Sequence, residues 1–116
     1  MKKKIVSGWG NYPRVEANII SPFQGTELTK LIDFDDNYIS RGLGRSYGDS
    51  SLNNNVIDLT KLNGTLSFDM DNGIIHCEAG VSLAEIIKYT ISKGWFLPVT
   101  PGTKYVTLGG AIAADI

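Results

Sequence analysis

Three glycines, a serine and two arginines share the stretch "RGLGRSYGD" at positions 41–49. Glycine reaches backbone conformations that a Cβ forbids, so several main-chain N–H groups of such a loop can converge on one anion. A phosphate group is the natural occupant. A second glycine pair lies in "VTLGGAIAADI" at 106–116. With Thr107 as N-cap, Gly109 and Gly110 fall in the first turn of a helix, where amides lack intrahelical partners and the dipole is positive. Gly109, Gly110, Ala113 and Ala114 make one face almost without side chains, while Leu108, Ile112 and Ile116 line up on another that would anchor the helix. The bare face admits either a ligand close to the backbone or tight packing against a strand.

The glycine loop is not a dinucleotide fingerprint of the Rossmann kind. Its spacing, Gly42-x-Gly44-x-x-x-Gly48, is one residue too long, and "SSLNNN" leads on into a strand where that motif requires a helix. It is not a P-loop, because no Gly-Lys-Ser/Thr follows. Two readings remain: a structural turn without a ligand, or half of a site completed by the second glycine segment. In the second reading the two segments grip one extended ligand with a charged middle and a flat end. A pyrophosphate joined to an aromatic ring system fits, with FAD placing its diphosphate on the loop and its isoalloxazine near the bare helix face.

The rest of the chain must position these segments. It has 116 residues, 42% hydrophobic and 20% charged with net charge -1, enough for one small domain with a modest core. The only basic run is Lys2–Lys4, which argues against a nucleic-acid partner. No apolar run approaches the roughly 20 residues of a membrane span, and "KKKIVSGWGN" lacks a signal peptide's apolar segment. A cytoplasmic protein is expected, with a membrane-peripheral location as the alternative. One cysteine and one histidine exclude a disulfide framework within the chain and argue against a zinc site.

"KKKIVSGWGNYP" predicts a strand running into a turn, and "GTELTKLIDF" a short helix capped by Thr26, with Leu28, Leu31, Ile32 and Phe34 apolar. "NYIS" and "NNVIDLTKL" predict strands on either side of the glycine loop. Asn72-Gly73 predicts a tight hairpin within 64–79. Alternation there turns Ile75, Cys77 and Ala79 inward and Ile74, His76 and Glu78 outward, so Cys77 reads as core filler and His76 as an ordinary strand residue. Ser82 and Glu85 form a capping box for a helix over 82–93 with Leu83, Ile86, Ile87, Thr90 and Ile91 buried and Gly94 as its stop. The fold class is α+β: a small sheet with a flanking helix, then a mainly antiparallel sheet packed by a helix.

"SGWGNYP", "RGLGRSYGD", "VIDLTKLN", "AGVSL", "LPVTPGT" and "VTLGGAIAADI" follow one another in this order. In that order they resemble the FAD-linked oxidases of the vanillyl-alcohol-oxidase superfamily, whose cofactor domain is of the PCMH type. The likeness covers nearly the whole chain. Its nearest match is to sugar-oxidising members that form the flavoprotein half of a bacterial cell-wall sugar epimerase.

The resemblance implies that the backbone of Ser40, Arg41, Gly42, Leu43 and Gly44, continuing through Arg45, Ser46, Tyr47, Gly48 and Asp49, wraps the FAD diphosphate. Arg41 or Arg45 could add charge. Gly102 of the "PGT" turn, with Thr107, Leu108, Gly109 and Gly110, would also contact the nucleotide. Some relatives attach FAD through a histidine in the loop, and Arg45 at that position implies a non-covalent flavin. Hydride transfer from a sugar carbinol C–H to flavin N5 is the implied reaction, with a short-chain dehydrogenase as partner if the epimerase likeness holds. An aldonolactone or alditol oxidase is the alternative within the class, and an anion-binding or packing module the alternative outside it.

Relatives continue beyond the point matching Ile116 with the rest of the FAD domain and a substrate-binding domain. The chain therefore reads as the N-terminal portion (1–116) of a FAD-binding domain. On that reading it holds no catalytic residue and no metal ligand, reaches its sugar or lipid-linked sugar only through the absent domain, and alone is inactive.

Overall fold

A computed structural model describes residues 2–32 and 37–116. Nine elements follow one another: β1 (Lys2–Ser7), β2 (Arg14–Ile20), α1 (Gly25–Ile32), β3 (Ile39–Arg41), β4 (Asn55–Asp58), β5 (Thr65–Asp69), β6 (Ile74–Cys77), α2 (Leu83–Ile91) and α3 (Leu108–Ala113). The fold is α+β, as the residue pattern implies. α1 begins before Thr26, which lies within it, and the expected contribution of Phe34 falls outside the described residues.

The first sheet has the order β1-β2-β4-β3 and is mixed. β1 and β2 are antiparallel, whereas β4 runs parallel to both of its neighbours. β2 was not expected, although Val15, Ala17 and Ile19 alternate inward along it, and all three pack into the core of Val6, Leu52 and Val56. Parallel neighbours cannot be joined by a tight turn. The long connection from β3 to β4 is residues 42–54, so the glycine loop stands at the carboxyl end of β3.

The second sheet is the β5–β6 ribbon. Its turn is wider than the two-residue turn that Asn-Gly suggests. Asp69 pairs with Ile74, and only Gly73 takes a positive φ (66°). The Asp69 carboxylate accepts the Asn72 side-chain amide (2.8 Å) and the backbone amides of Asn72 and Asp71, and these bonds, the side-chain one foremost, hold its pKa below the ordinary carboxylate value. Ile75 and Cys77 face a second core built from Val81, Leu83, Ile86 and Ala111, while Ile74 and His76 are exposed. Partial burial raises the pKa of the Cys77 thiol, with the Glu85 charge adding to it, which favours the protonated thiol.

α2 carries the expected capping box: the Ser82 hydroxyl accepts the Glu85 amide, and the Glu85 carboxylate accepts the Ser82 amide. Gly94 ends the run at φ 83°. Ile91, expected in the buried stripe, is 58% exposed, because the core contact runs along Leu83, Ile86 and Thr90. Ser82→Ala should cost about 1 kcal/mol, read as a shift in denaturation midpoint at constant m-value. Glu85→Gln should cost less, since the Ser82 hydroxyl still caps the Glu85 amide.

Among the described residues, no helix is long and apolar enough to cross a membrane, and no cluster of His, Cys, Asp and Glu could hold a metal ion.

Candidate functional site

The two glycine segments, far apart in sequence, meet in space. A Cβ built on Gly42 would stand 2.5 Å from Thr107 Oγ1 and 3.0 Å from its methyl group, so the loop backbone lies directly on the N-cap of α3. Arg45 strengthens the junction, donating from Nε to the Tyr105 carbonyl (3.2 Å) while its guanidinium stacks over Trp9.

The loop is wound to leave its amides open. Gly44 and Gly48 take φ of 72° and 59°, which side chains with a Cβ avoid. Among the described residues, no protein acceptor receives the amides of residues 42–48. Such a run of unpartnered amides at the carboxyl end of a parallel strand is a ready receptor for an anion.

The α3 start is different, which corrects one expectation. Its amides are already engaged: Leu108 donates to Val81 O (2.7 Å), Gly109 to Ala79 O (2.9 Å) and Gly110 to Thr107 Oγ1 (3.1 Å). These glycines supply room, not donors. Gly109 serves packing, since a Cβ there would press on Ala79 at 3.2 Å, whereas Gly110 is exposed. The anchoring face is also corrected: Ile112 is 71% exposed and Ile116 is exposed, and Leu108 with Ala111 enters the core instead. Two carbonyls, those of Val81 and Ala79, fix the orientation of α3, and apolar spacing along a short helix does not reveal them.

The arginines have structural partners. Arg41 donates from Nη2 to the Ser7 carbonyl at 2.7 Å, and Arg45 is engaged as described. Ser40, Leu43, Tyr47 and Asp49 are exposed, while Ser46 is half-buried and pairs its hydroxyl with that of Ser51 (3.1 Å). Gly102 does not join the loop groove. It lines a separate depression of about 210 Å³ with Leu83, Ile87, Phe96 and Lys104.

An open groove of about 420 Å³ lies between the glycine loop and the "SGWG" turn, lined by Ser7, Gly8, Trp9, Asn11, Arg41, Leu43, Gly44 and Arg45. Gly8 and Trp9 belong to the site although the glycine-loop reading omitted them. Trp9 N–H donates to Ser46 O (3.0 Å), and a Cβ on Gly8 would meet Ser46 O at 2.6 Å. A tryptophan flanked by glycines was the available signal.

Residues 29–116 match the family described as FAD binding domain. The decaprenylphosphoryl-beta-D-ribose oxidase of Mycolicibacterium smegmatis is 37% identical over 120 aligned residues, covering 97% of this chain and 26% of that protein. A D-lactate dehydrogenase of Anaerostipes hadrus is 33% identical over 60 residues, covering 52% of this chain and 13% of that protein. The crystal structure of cholesterol oxidase from B. sterolicum shares the fold, with a TM-score of 0.82 at 17% identity over 97% of this chain and 23% of that one. The chain belongs to the FAD-binding domain family of FAD-linked oxidases that its motifs resemble. It spans about a quarter of the length of its full-span relatives.

The site suits the cofactor of that family. Its unpartnered loop amides match a diphosphate, and the Gly42–Thr107 contact places the loop against the cap of α3, whose Gly110 is exposed.

Proposed function

We propose that this chain supplies the diphosphate-binding wall of a FAD-dependent sugar oxidoreductase. The observation that carries this reading is the run of loop amides without a protein acceptor, whose first residue, Gly42, lies against the Thr107 cap of α3. Residues 42–48 would hold the diphosphate through main-chain N–H groups, whose dipoles offset its charge. The flavin, when bound, supplies acceptance of a hydride from a carbinol C–H. The relative named for decaprenylphosphoryl-ribose supports a sugar, lipid-linked, as the substrate class. A short-chain dehydrogenase that reduces the resulting ketone would make the pair an epimerase. Substrate contacts would come from parts of the protein outside these residues, so the 116-residue polypeptide alone is expected to bind FAD weakly and to oxidise nothing.

The test is to purify the gene product that carries this chain and record its visible spectrum. The two absorption bands of an oxidised flavin, bleached by the sugar substrate, are expected. A protein that stays colourless after reconstitution with FAD would leave only the anion-binding module.

The flavin should be held without a covalent bond to this chain. Arg45 stands where some relatives place the attaching histidine, and the chain's single histidine, His76, is on the β6 ribbon. Acid precipitation should release the yellow colour to the supernatant, and a yellow pellet would contradict this.

A further inference from the structure

An arginine at the mouth of an anion-binding loop would ordinarily be read as a countercharge. The geometry of Arg41 points elsewhere. Its Nη2 donates to the Ser7 carbonyl at 2.7 Å and its Nη1 reaches the Ser51 hydroxyl at 3.5 Å. Ser51 is in turn bonded to Ser46 at 3.1 Å. One guanidinium thus ties the end of β1 to the far limb of the glycine loop. The loop is wound against that guanidinium: a Cβ on Gly44 would collide with Arg41 Nη2 and stand 2.9 Å from Cζ. The Arg41 carbonyl is also engaged, accepting the Leu59 amide at 3.0 Å.

We propose that Arg41 is a positioning residue for the diphosphate: its guanidinium is the internal post around which residues 42–48 are wound so that their amides stay unengaged. Partial burial lowers its pKa from the ordinary arginine value, with the Asp58 charge opposing, consistent with a cation enclosed by the fold. A planar fork is required, because two acceptors in different directions must be met while Gly44 packs on the group. Lysine keeps the charge but not the fork.

This inference rests on the FAD-binding reading, and its test separates the two. Arg41→Lys is made in the gene product that carries this chain. FAD and riboflavin affinities are measured by flavin fluorescence, and backbone amide resonances of residues 42–48 are recorded without flavin. The expected result is a loss of FAD affinity of roughly tenfold, about the effect of one mispositioned charge-assisted hydrogen bond. Riboflavin, which lacks the diphosphate, should bind as before, and the 42–48 resonances should move. FAD affinity kept by Arg41→Lys would mean that charge alone matters and would overturn the post. Equal losses for FAD and riboflavin would also overturn it. A wild-type protein that takes up no flavin would overturn the function proposed above. The post would then be decided by the resonances, and unmoved 42–48 amides would defeat it. If Arg41→Lys does not fold, Ser51→Ala removes one of the two tethers. It should show the same selective loss of FAD at smaller size, and unchanged FAD affinity there would overturn the proposal.

Discussion

Gly42→Ala should weaken FAD binding by roughly tenfold or more, equivalent to about 1.4 kcal/mol, while most of the fold survives. The added methyl would stand 2.5 Å from Thr107 Oγ1 and 3.3 Å from Thr107 Cβ. Thr107 is 4% exposed and its hydroxyl accepts the Gly110 amide, so it cannot rotate away without uncapping α3. Either the loop lifts off the helix start or the cap breaks. Lifting costs about 1–3 kcal/mol as overpacking, and uncapping costs about 1 kcal/mol. Both separate the loop amides from the α3 start, which the proposed site requires together. Gly10→Ala is the control, since a Cβ there meets nothing within 4 Å, and its stability should stay within about 0.5 kcal/mol of wild type. Titration of both variants with FAD, alongside chemical denaturation, checks the pair. Equal affinities in Gly42→Ala and wild type would mean that the Gly42–Thr107 contact does not form the site.

The parts legible in the sequence are those set by neighbours along the chain. Ser82 and Glu85 announce the start of α2, Gly94 its end and Thr107 the cap of α3, because each is a bond between residues a few positions apart. The glycine conformations of the loop were legible for the same reason, since positive φ at Gly44 and Gly48 is a local requirement. What escaped depends on partners distant in sequence. β2 lies between β1 and β4, and only the fold shows that β4 runs parallel to it. The Leu108 and Gly109 amides looked available because their acceptors, Val81 O and Ala79 O, belong to a segment more than a helix away. Arg41 looked like a countercharge because the Ser7 carbonyl that receives it ends a different strand. Local sequence thus located the two glycine segments but could not say which of their donors were already taken.

Gly80→Ala should produce the largest loss of stability of any single methyl added to this chain, about 3 kcal/mol, the upper part of the usual range for overpacking. The new Cβ would overlap the Leu59 carbonyl oxygen and lie 2.5 Å from Leu62 O. Both neighbours are backbone, so no side chain can swing aside. The Gly80 amide also donates to Leu62 O at 2.8 Å, and Glu78 N–H donates to Gly64 O at 2.9 Å. These bonds fasten the turn after β4 to the entry of α2. Relieving the clash must therefore break the join between the two sheets' connecting segments. Small domains are stable by about 5–15 kcal/mol, so the loss is a large fraction of the total and should lower the denaturation midpoint without changing the m-value. The next residue, Val81, is 1% exposed and its carbonyl orients α3 through Leu108, so FAD affinity should fall as well. That fall has a different origin from the one in Gly42→Ala. In Gly80→Ala the weak binding is expected only near the lowered midpoint, where it reflects a smaller folded population, and a stabilising osmolyte should restore it. In Gly42→Ala the folded site itself is deformed, and the osmolyte should leave its affinity low. A midpoint in Gly80→Ala equal to wild type would mean that the 59–62 turn can move aside, and that the sheets are not joined at Gly80.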